Sequence, residues 1–290
     1  MQPILVIRQA KDGKPGLLRR ALQLSENSKL KVHVLDLVYS EDLQELSEAQ
    51  SKKYQKQRIK EREQEIEAEI VEIGLAPGRT TVTVLWRKDV LNSILDYCKK
   101  IDPVLVLKQA HSHKRKIMHT PLDWHLIERC LQPLLITPAT KRKKKPKILV
   151  ALDLATKVKS KALLNPRLME AASRYVAALG GEIQIVCCAN LSPVLADLDI
   201  IDSRALRKKI QKRVGPQLSA LQQEYGIDDS QVIFKVGQPT KIITSTARKL
   251  KADMVVLGSA GRRGLKGRLL GNTAEQLIST LNTDLLLLRA

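Results

Sequence analysis

The sequence predicts an α/β protein built from two tandem doubly wound, Rossmann-like domains, each with a five-stranded parallel sheet. Short apolar runs alternate with amphipathic segments along the whole chain, which is typical of parallel strands joined by crossover helices. The same order of elements occurs twice. The chain has 290 residues, which is enough for two domains of ordinary size.

In the first half, apolar runs predict strands at residues 4–7, 32–35, 82–86, 104–107 and 134–136. The segments between them have helical periodicity. Residues 46–73 are rich in charge and carry only a thin stripe of isoleucines. We therefore expect that segment to be a long helix whose surface is mostly solvated.

The second half repeats this order. Strands are expected at residues 148–152, 183–188, 232–234, 254–257 and 285–288, with helices at 162–179, 203–225, 240–250 and 273–281. Gly215 and Pro216 predict a break in the second of these helices, because proline removes a helical hydrogen bond.

A basic segment separates the halves. Pro138 and Pro146 enclose five consecutive basic residues at 141–145, a composition typical of a solvated linker. We therefore predict an N-terminal domain at residues 1–138, a linker at 139–146 and a C-terminal domain at 147–290.

Charge restricts the class of partner. The 50 Lys+Arg outnumber the 30 Asp+Glu, which gives a formal net charge of +20. Such an excess attracts polyanions, namely nucleic acids, nucleotides or an anionic membrane face, although it also serves solubility alone. Aromatic residues make up only 3% of the chain, so the stacking surfaces that single-strand binders use are scarce.

Other compositional signals favour the cytoplasm. No apolar run approaches the roughly 20 residues of a membrane span, and the N-terminus lacks the pattern of a signal peptide. The four cysteines show no CxxC spacing, which argues against a disulfide framework. We expect a cytoplasmic protein without a membrane span.

The repeat is visible residue by residue. Residues 102–106 match 253–257 at an offset of 151 (253 minus 102), and the same offset relates 126–127 to 277–278 and 134–136 to 285–287. A match through two strands and a helix indicates a duplicated domain. At this offset the second half has glycines where the first half has side chains: Gly258 for Leu107, Gly261 for Ala110 and Gly271 for Thr120.

These glycines follow an apolar strand and precede a helix, an arrangement that lets backbone N–H groups approach an anion. The side chains in the first half limit such an approach. We therefore expect a phosphate site in the second half and a degenerate site in the first.

A carboxylate ends the first strand of the second half. Asp153 follows residues 148–152, whereas the corresponding strand of the first half ends in Gln9. Ligands of open α/β sheets bind at this end of the strands. Asp153 either accepts hydrogen bonds from a nucleobase or ribose, or caps the following segment.

The glycine spacing resembles a known signature. Gly258-x2-Gly261-x9-Gly271-Asn272 is similar to the G-x2-G-x9-G-[S/T] nucleotide signature of the universal stress protein family. The family also has an aspartate at the position of Asp153 and a turn at the position of residues 237–239. The segments 110–113, 120–126 and 270–276 resemble the tandem, UspE-like type, and the resemblance covers both halves.

The resemblance implies ATP as the ligand of the C-terminal domain, with Mg²⁺ left open. It places adenine near Asp153 and the backbone near Cys188. It places the phosphates on the loop residues Gly258, Ser259, Gly261, Arg262, Gly271 and Asn272. Asn272 departs from the family's Ser or Thr, but its amide can donate a hydrogen bond, and Thr273 offers a hydroxyl one position later.

Signals for catalysis and for metal binding are weak. The chain has no G-x4-G-K-[S/T] sequence, and no carboxylate has the spacing of a general base, so a binding module is favoured over a slow ATPase. His111, His113, His119, His125 and Cys130 form no Cys/His quartet. We therefore predict neither catalytic residues nor a metal site.

Two functional interpretations follow. The favoured one is a nucleotide-binding stress-response or signalling module, whose domains pair within the chain through their last strands, as the resemblance implies. A homodimer is left open. The alternative is a basic protein that binds nucleic acid or another polyanion, with a vestigial nucleotide site.

Overall fold

The computed structural model describes residues 2–9, 16–110, 122–138, 145–189, 203–259 and 283–289. These residues fall into two compact units. The N-terminal unit holds the described residues up to 138, and the C-terminal unit holds those from 145 onward. Within the described part of the chain, no helix is long and apolar enough to cross a membrane.

The N-terminal unit alternates strands and helices, as predicted. Its strands are β1 (Ile4–Gln9), β2 (Val32–Val38), β3 (Thr80–Trp86), β4 (Leu105–Gln109) and β5 (Leu134–Thr137). Its helices are α1 (Gly16–Ser28), α2 (Glu48–Glu72), α3 (Val90–Ile101) and α4 (Leu122–Arg129). The strands are parallel in the order β3-β2-β1-β4-β5. The predicted α/β class is thereby confirmed for this unit.

The C-terminal unit repeats the arrangement. Its strands are β6 (Lys147–Leu152), β7 (Glu182–Ala189), β8 (Val232–Val236), β9 (Met254–Ser259) and β10 (Asp284–Arg289). Its helices are α5 (Lys159–Ala162), α6 (Leu164–Leu179), α7 (Ser203–Tyr225) and α8 (Pro239–Leu250). The parallel strands run in the order β10-β9-β6-β7-β8. The central strands of both units are almost fully buried, as doubly wound sheets require.

Local sequence signals set the helix ends. Ser47 and Gln50 form a capping box at the start of α2, and this leaves fewer of its first N–H groups without a partner. Asp89 caps α3 by accepting from the Asn92 N–H at 3.0 Å. Pro239 starts α8, where its fixed φ suits a first turn.

The predicted break at Gly215 and Pro216 is wrong, because α7 runs through both residues. A residue before proline normally avoids the helical region, since its Cβ meets the proline ring. Gly215 has no Cβ. Pro216 is exposed, so water can reach the carbonyl that the missing N–H leaves unpaired.

Strand pairing corrects the predicted offset at the fourth strand. β1 pairs Ile4 with Leu105, and β6 pairs Ile148 with Met254. Since Ile4 and Ile148 occupy the same place in their sheets, Leu105 corresponds to Met254 at an offset of 149 (254 minus 105). At the fifth strand the offset is 151, as predicted, because Leu134 pairs with Val106 and Leu285 with Val255.

The helix ends before these strands show the same shift. Asp102 ends α3 with a φ of 42°, and Lys251 ends α8 with a φ of 52°, again 149 apart (251 minus 102). The counterpart of Gly258 is therefore Gln109 rather than Leu107. Ser259 corresponds in turn to Ala110. The contrast between the halves survives this correction, because the sequence has no glycine between Gly78 and Gly180.

Candidate functional site

Four predicted site residues lie along one edge of the C-terminal sheet. Asp153 directly follows β6, Cys188 is near the end of β7, and Gly258 and Ser259 end β9. β6 lies between β7 and β9, and all three strands are parallel. The carboxyl ends of parallel strands meet at the same edge, so the structure brings these residues together where open α/β sheets bind ligands.

The main chain of Asp153 is held by Asn165, in the first turn of α6. The Asp153 N–H donates to Asn165 Oδ1 at 3.1 Å, and Asn165 Nδ2 donates to the Asp153 carbonyl at 3.1 Å. Asn165 is only 5% exposed. Because both hydrogen bonds involve the backbone, they position Asp153 without engaging its carboxylate.

The side chain of Asp153 is accessible to solvent. Desolvation by the surrounding protein nevertheless raises the pKa of its carboxyl, and the charge of Lys161 and hydrogen bonds from Thr156 partly offset that rise. A carboxylate that is accessible in this way can accept hydrogen bonds from ligand hydroxyl or amino groups.

Cys188 is close enough to this carboxylate to be affected by its charge. Burial raises the pKa of its thiol to about 12, the negative charge of Asp153 contributes to the rise, and Lys235 opposes it. Burial also raises the pKa of Cys187 to about 12. Both thiols are therefore protonated at neutral pH, which argues against a reactive thiolate at this edge.

Gly258 is required by packing. A Cβ at this position would lie 2.2 Å from Leu164 Cδ2 and 3.2 Å from Leu164 Cγ. Leu164 is itself buried, at the start of α6. The absence of a side chain at Gly258 therefore lets α6 approach β9, so its glycine has a structural reason whether or not phosphate binds nearby.

Charged side chains occupy the corresponding positions of the N-terminal unit. Arg8 takes the place of Leu152, is 5% exposed and forms an ion pair with Glu69 of α2. Asp36 takes the place of Cys187, is fully buried and accepts from Arg62 Nε at 2.5 Å.

A further buried ion pair lies at β4. Lys108 Nζ is 2.6 Å from Asp123 Oδ1 of α4, and both side chains are 1% exposed. Lys108 also donates to the Gln109 carbonyl at 2.9 Å. The corresponding residue in β9 is Leu257, at the offset of 149. The carboxyl edge of the N-terminal unit therefore contains buried ion pairs where the C-terminal unit has uncharged side chains.

Several predicted residues lie outside the described part of the chain: Gly261, Arg262, Gly271, Asn272 and Thr273 of the glycine loop, and His111, His113 and His119. Cys130 is described and is buried next to Cys98, to which it is hydrogen-bonded. Among the described residues, no group of three His, Cys, Asp or Glu side chains could hold a metal ion.

Sequence reasoning missed Asn165, Thr156 and Lys161. Asn165 had a usable signal, because it is a polar residue within the apolar stripe of Leu164 and Leu168, and buried polar side chains normally have hydrogen-bond partners. The buried ion pairs of the N-terminal unit left no such signal in the sequence, since Arg8 and Glu69 are 61 residues apart.

Comparisons with known proteins agree on one family. The family model described as the universal stress protein family matches residues 1–138 and 146–289. Universal stress protein E of Escherichia coli K12 is 30% identical over 213 residues, which cover 72% of this chain and 67% of that protein. The universal stress protein E homolog of Haemophilus influenzae is 26% identical over 296 residues, 98% of this chain and 96% of the relative.

Solved structures show the same fold. A protein of Pseudomonas aeruginosa, described as a universal stress protein, superposes with a TM-score of 0.75 at 22% identity and covers 100% of this chain and 93% of its own. A universal stress protein of Archaeoglobus fulgidus gives 0.63 at 16% identity, covering 100% and 99% of the two chains. At these identities the likeness concerns the fold alone.

Proposed function

Because the chain belongs to the universal stress protein family, we propose that it acts in the stress response by binding ATP at the carboxyl edge of the C-terminal unit. In this proposal the Asp153 carboxylate accepts hydrogen bonds from the adenine amino group or the ribose hydroxyls. The backbone near Cys188 flanks the base. The phosphates bind the glycine loop, from Gly258 and Ser259 to Gly271, Asn272 and Thr273, with Arg262 beside them.

The observation that supports this proposal most is that Asp153 has a fixed main chain and an accessible carboxyl. Its main chain is held by Asn165, while its carboxyl remains accessible to solvent. A site with a fixed backbone and an available acceptor needs little reorganisation when a ligand binds, which favours affinity. The N-terminal unit has Gln9 at this position and buried ion pairs next to it, so we propose one nucleotide per chain.

Calorimetric titration with ATP tests the proposal. We expect Asp153→Ala to weaken ATP binding by about 10- to 100-fold, since a hydrogen bond to a charged group contributes about 1.5–3 kcal/mol. Gly261→Val is expected to abolish binding, because its side chain blocks approach to the phosphates. Gln9→Ala is the matched control in the N-terminal unit and is expected to leave the affinity within about twofold. Equal dissociation constants for wild type and Asp153→Ala would refute the assignment.

We propose binding rather than turnover as the activity. No described carboxylate at this edge other than Asp153 is positioned to activate water, and Asp153 is assigned to the nucleoside. Phosphate release from bound ATP, measured over hours, separates a binding module from the slow ATPase. Intramolecular pairing of the domains and a homodimer both stay proposals. Sedimentation of the intact chain gives its mass and so tests the homodimer.

A further inference from the structure

The C-terminal unit has a basic surface formed by the segment that follows β6 and by α7. The segment contributes Lys157, Lys159 and Lys161. α7 contributes Arg207, Lys208, Lys209, Lys212 and Arg213, and its sequence contains no acidic residue before Glu224. None of these eight side chains forms an ion pair with a described residue, and the described pairs of this unit involve Lys147 and Arg174 instead.

These cations lie on two elements that contact each other. Arg213 donates to the carbonyl oxygen of Ala155 at 3.4 Å, so the middle of α7 contacts the segment that carries the three lysines. Lys209 lies one turn before Arg213 and is exposed, whereas Val214 is buried and anchors the opposite side of the helix. Seven of these cations are exposed to solvent, and Lys161 is half-buried near the Asp153 carboxylate.

Two exposed aliphatic side chains alternate with the lysines. Val158 is 50% exposed and Leu163 is 64% exposed, and they flank α5 in a segment that reads Lys157-Val158-Lys159-Ser160-Lys161-Ala162-Leu163. No aromatic residue occurs in residues 154–164, and α7 has one only at its end, Tyr225. Without aromatic rings the surface lacks the stacking contacts by which single-stranded nucleic acids are held.

The N-terminal unit provides a contrast. Its helix α2 also has a run of basic residues, at positions 52–60, and carboxylates flank that run at Glu48 and Glu61. Lys52 pairs with Glu48 at 2.5 Å, and Arg58 pairs with Glu61 at 3.3 Å. Two of the five cations in this run are therefore paired within the protein, whereas the eight cations of the C-terminal surface form no ion pair with a described residue.

We propose that this basic surface of the C-terminal unit docks on an anionic lipid bilayer. Clustered Lys and Arg side chains are attracted to the negative surface potential of such a bilayer. Val158 and Leu163 enter the headgroup boundary, where an apolar side chain gains by leaving water. The protein lies on the membrane surface in this mode and does not span it. Lys161, one of these cations, is near Asp153, but docking does not require nucleotide.

Co-sedimentation with vesicles of 30% phosphatidylglycerol in phosphatidylcholine tests the charge contribution. Each cation near such a surface strengthens binding about fivefold. The triple variant Lys157→Gln/Lys159→Gln/Lys209→Gln is therefore expected to bind about 100-fold more weakly than wild type. The matched control is Lys53→Gln/Lys56→Gln/Lys60→Gln on α2, which removes the same charge and is expected to stay within about threefold. Equal losses in the two variants would show general charge attraction and overturn the proposal.

A second pair of variants tests the aliphatic contribution. Val158→Ser/Leu163→Ser is expected to lower binding to these vesicles about fivefold or more. The control is Val71→Ser/Leu131→Ser, which is expected to have no effect, because those N-terminal side chains are at least as exposed, at 66% and 64%. All four positions are on the surface, and circular dichroism confirms that each variant is folded.

A nucleic acid is the competing occupant. We expect a labelled 20-nucleotide oligothymidylate to bind more weakly than the anionic vesicles at the same salt concentration, and Val158→Ser/Leu163→Ser to leave that binding unchanged. Tighter binding to the oligonucleotide, or no binding of wild type to the vesicles, overturns the proposal. ATP titration of the same variants keeps this outcome separate from the nucleotide proposal, since none of the substituted residues belongs to that site.

Discussion

The two units share one fold but differ at the carboxyl ends of their strands. In the N-terminal unit, Arg8, Asp36 and Lys108 are buried there and pair with side chains from the helices. In the C-terminal unit the corresponding residues are Leu152, Cys187 and Leu257, all buried and uncharged.

This difference is the basis on which we propose a ligand for one copy of the duplicated fold. Buried charges need partners, and the N-terminal unit supplies them from its own helices α2 and α4. The C-terminal unit has uncharged residues at these positions, and Asp153 follows one position beyond Leu152, where its carboxyl is accessible to solvent. The charged groups of the N-terminal edge are thus paired within the protein, whereas the C-terminal edge has an accessible carboxyl acceptor.

The largest expected effect comes from breaking the buried pair at β4. Asp123→Asn leaves the Lys108 ammonium buried without its counter-charge, and we expect the N-terminal unit to lose about 3–5 kcal/mol of unfolding free energy. Both tryptophans, Trp86 and Trp124, are in this unit, so urea unfolding followed by tryptophan emission reports on it.

The control for that experiment introduces the apolar residue type that the C-terminal unit has at the corresponding position. Lys108→Leu/Asp123→Leu replaces the pair by apolar residues, as Leu257 does in β9, and is expected to recover most of the loss. A loss below about 1 kcal/mol in Asp123→Asn would contradict a structural role for the pair.

A smaller effect is expected from adding one methyl group to β9. Gly258→Ala places its Cβ against Leu164, and overpacking of this kind costs about 1–3 kcal/mol. Thermal unfolding followed by circular dichroism is expected to show a lower midpoint for the C-terminal unit.

Gln109→Ala is the matched control, because that position of β4 already has a Cβ, and it is expected to leave the midpoint nearly unchanged. Gly258→Ala/Leu164→Ala separates the clash from other causes, since a smaller residue at 164 makes room for the new methyl group. If Gly258→Ala alone is as stable as wild type, α6 does not need the glycine.

The smallest expected effect concerns pH. Burial, and then the charge of Lys100, lower the pKa of His33, whose Nε2 contacts Tyr97 and Thr83 at 2.7 and 3.0 Å. The unfolded chain therefore takes up a proton near pH 6.5 while the folded unit stays neutral. The contribution of His33 to the unfolding free energy is therefore fully present above that pH. It is lost as the pH falls toward the lower pKa of His33 in the folded unit, and the loss is less than about 1 kcal/mol for a half-buried group.

The C-terminal unit has Gln184 at the corresponding position of β7. His33→Gln is thus expected to reduce the loss of stability between pH 7.5 and 5.5, measured as the urea midpoint of tryptophan emission. Variants must be compared by their pH slope, because the substitution also removes hydrogen bonds. Identical slopes would assign the pH dependence to other groups.

The fold was predictable because apolar runs and helical periodicity are local signals. The register of β4 was not. Leu105, Val106 and Leu107 are all apolar and buried on both faces of the sheet, so shifting this strand by two residues preserves every hydrophobic contact type. Only the helix ends at Asp102 and Lys251 and the hydrogen-bonded pairing define its place.

The candidate site was predictable in part. Asp153 has a sequence signal, namely a carboxylate at the end of an apolar strand. The role of Gly258 in packing has none, because Leu164 is 94 positions away (258 minus 164) and the closeness of the two residues arises only when α6 lies on the sheet. The ion pairs of the N-terminal unit are equally non-local, so their effect on the site required three-dimensional structure.

Two adjacent residues at the start of α6 restrict how this protein can evolve. Leu164 fills the space at Gly258, and Asn165 holds the backbone of Asp153. A lineage that enlarges residue 258 must reorient or shrink residue 164 or move the helix, and moving the helix displaces Asn165 from Asp153. Substitutions at 164 and 258 should therefore be inherited together wherever the Asn165–Asp153 pairing persists.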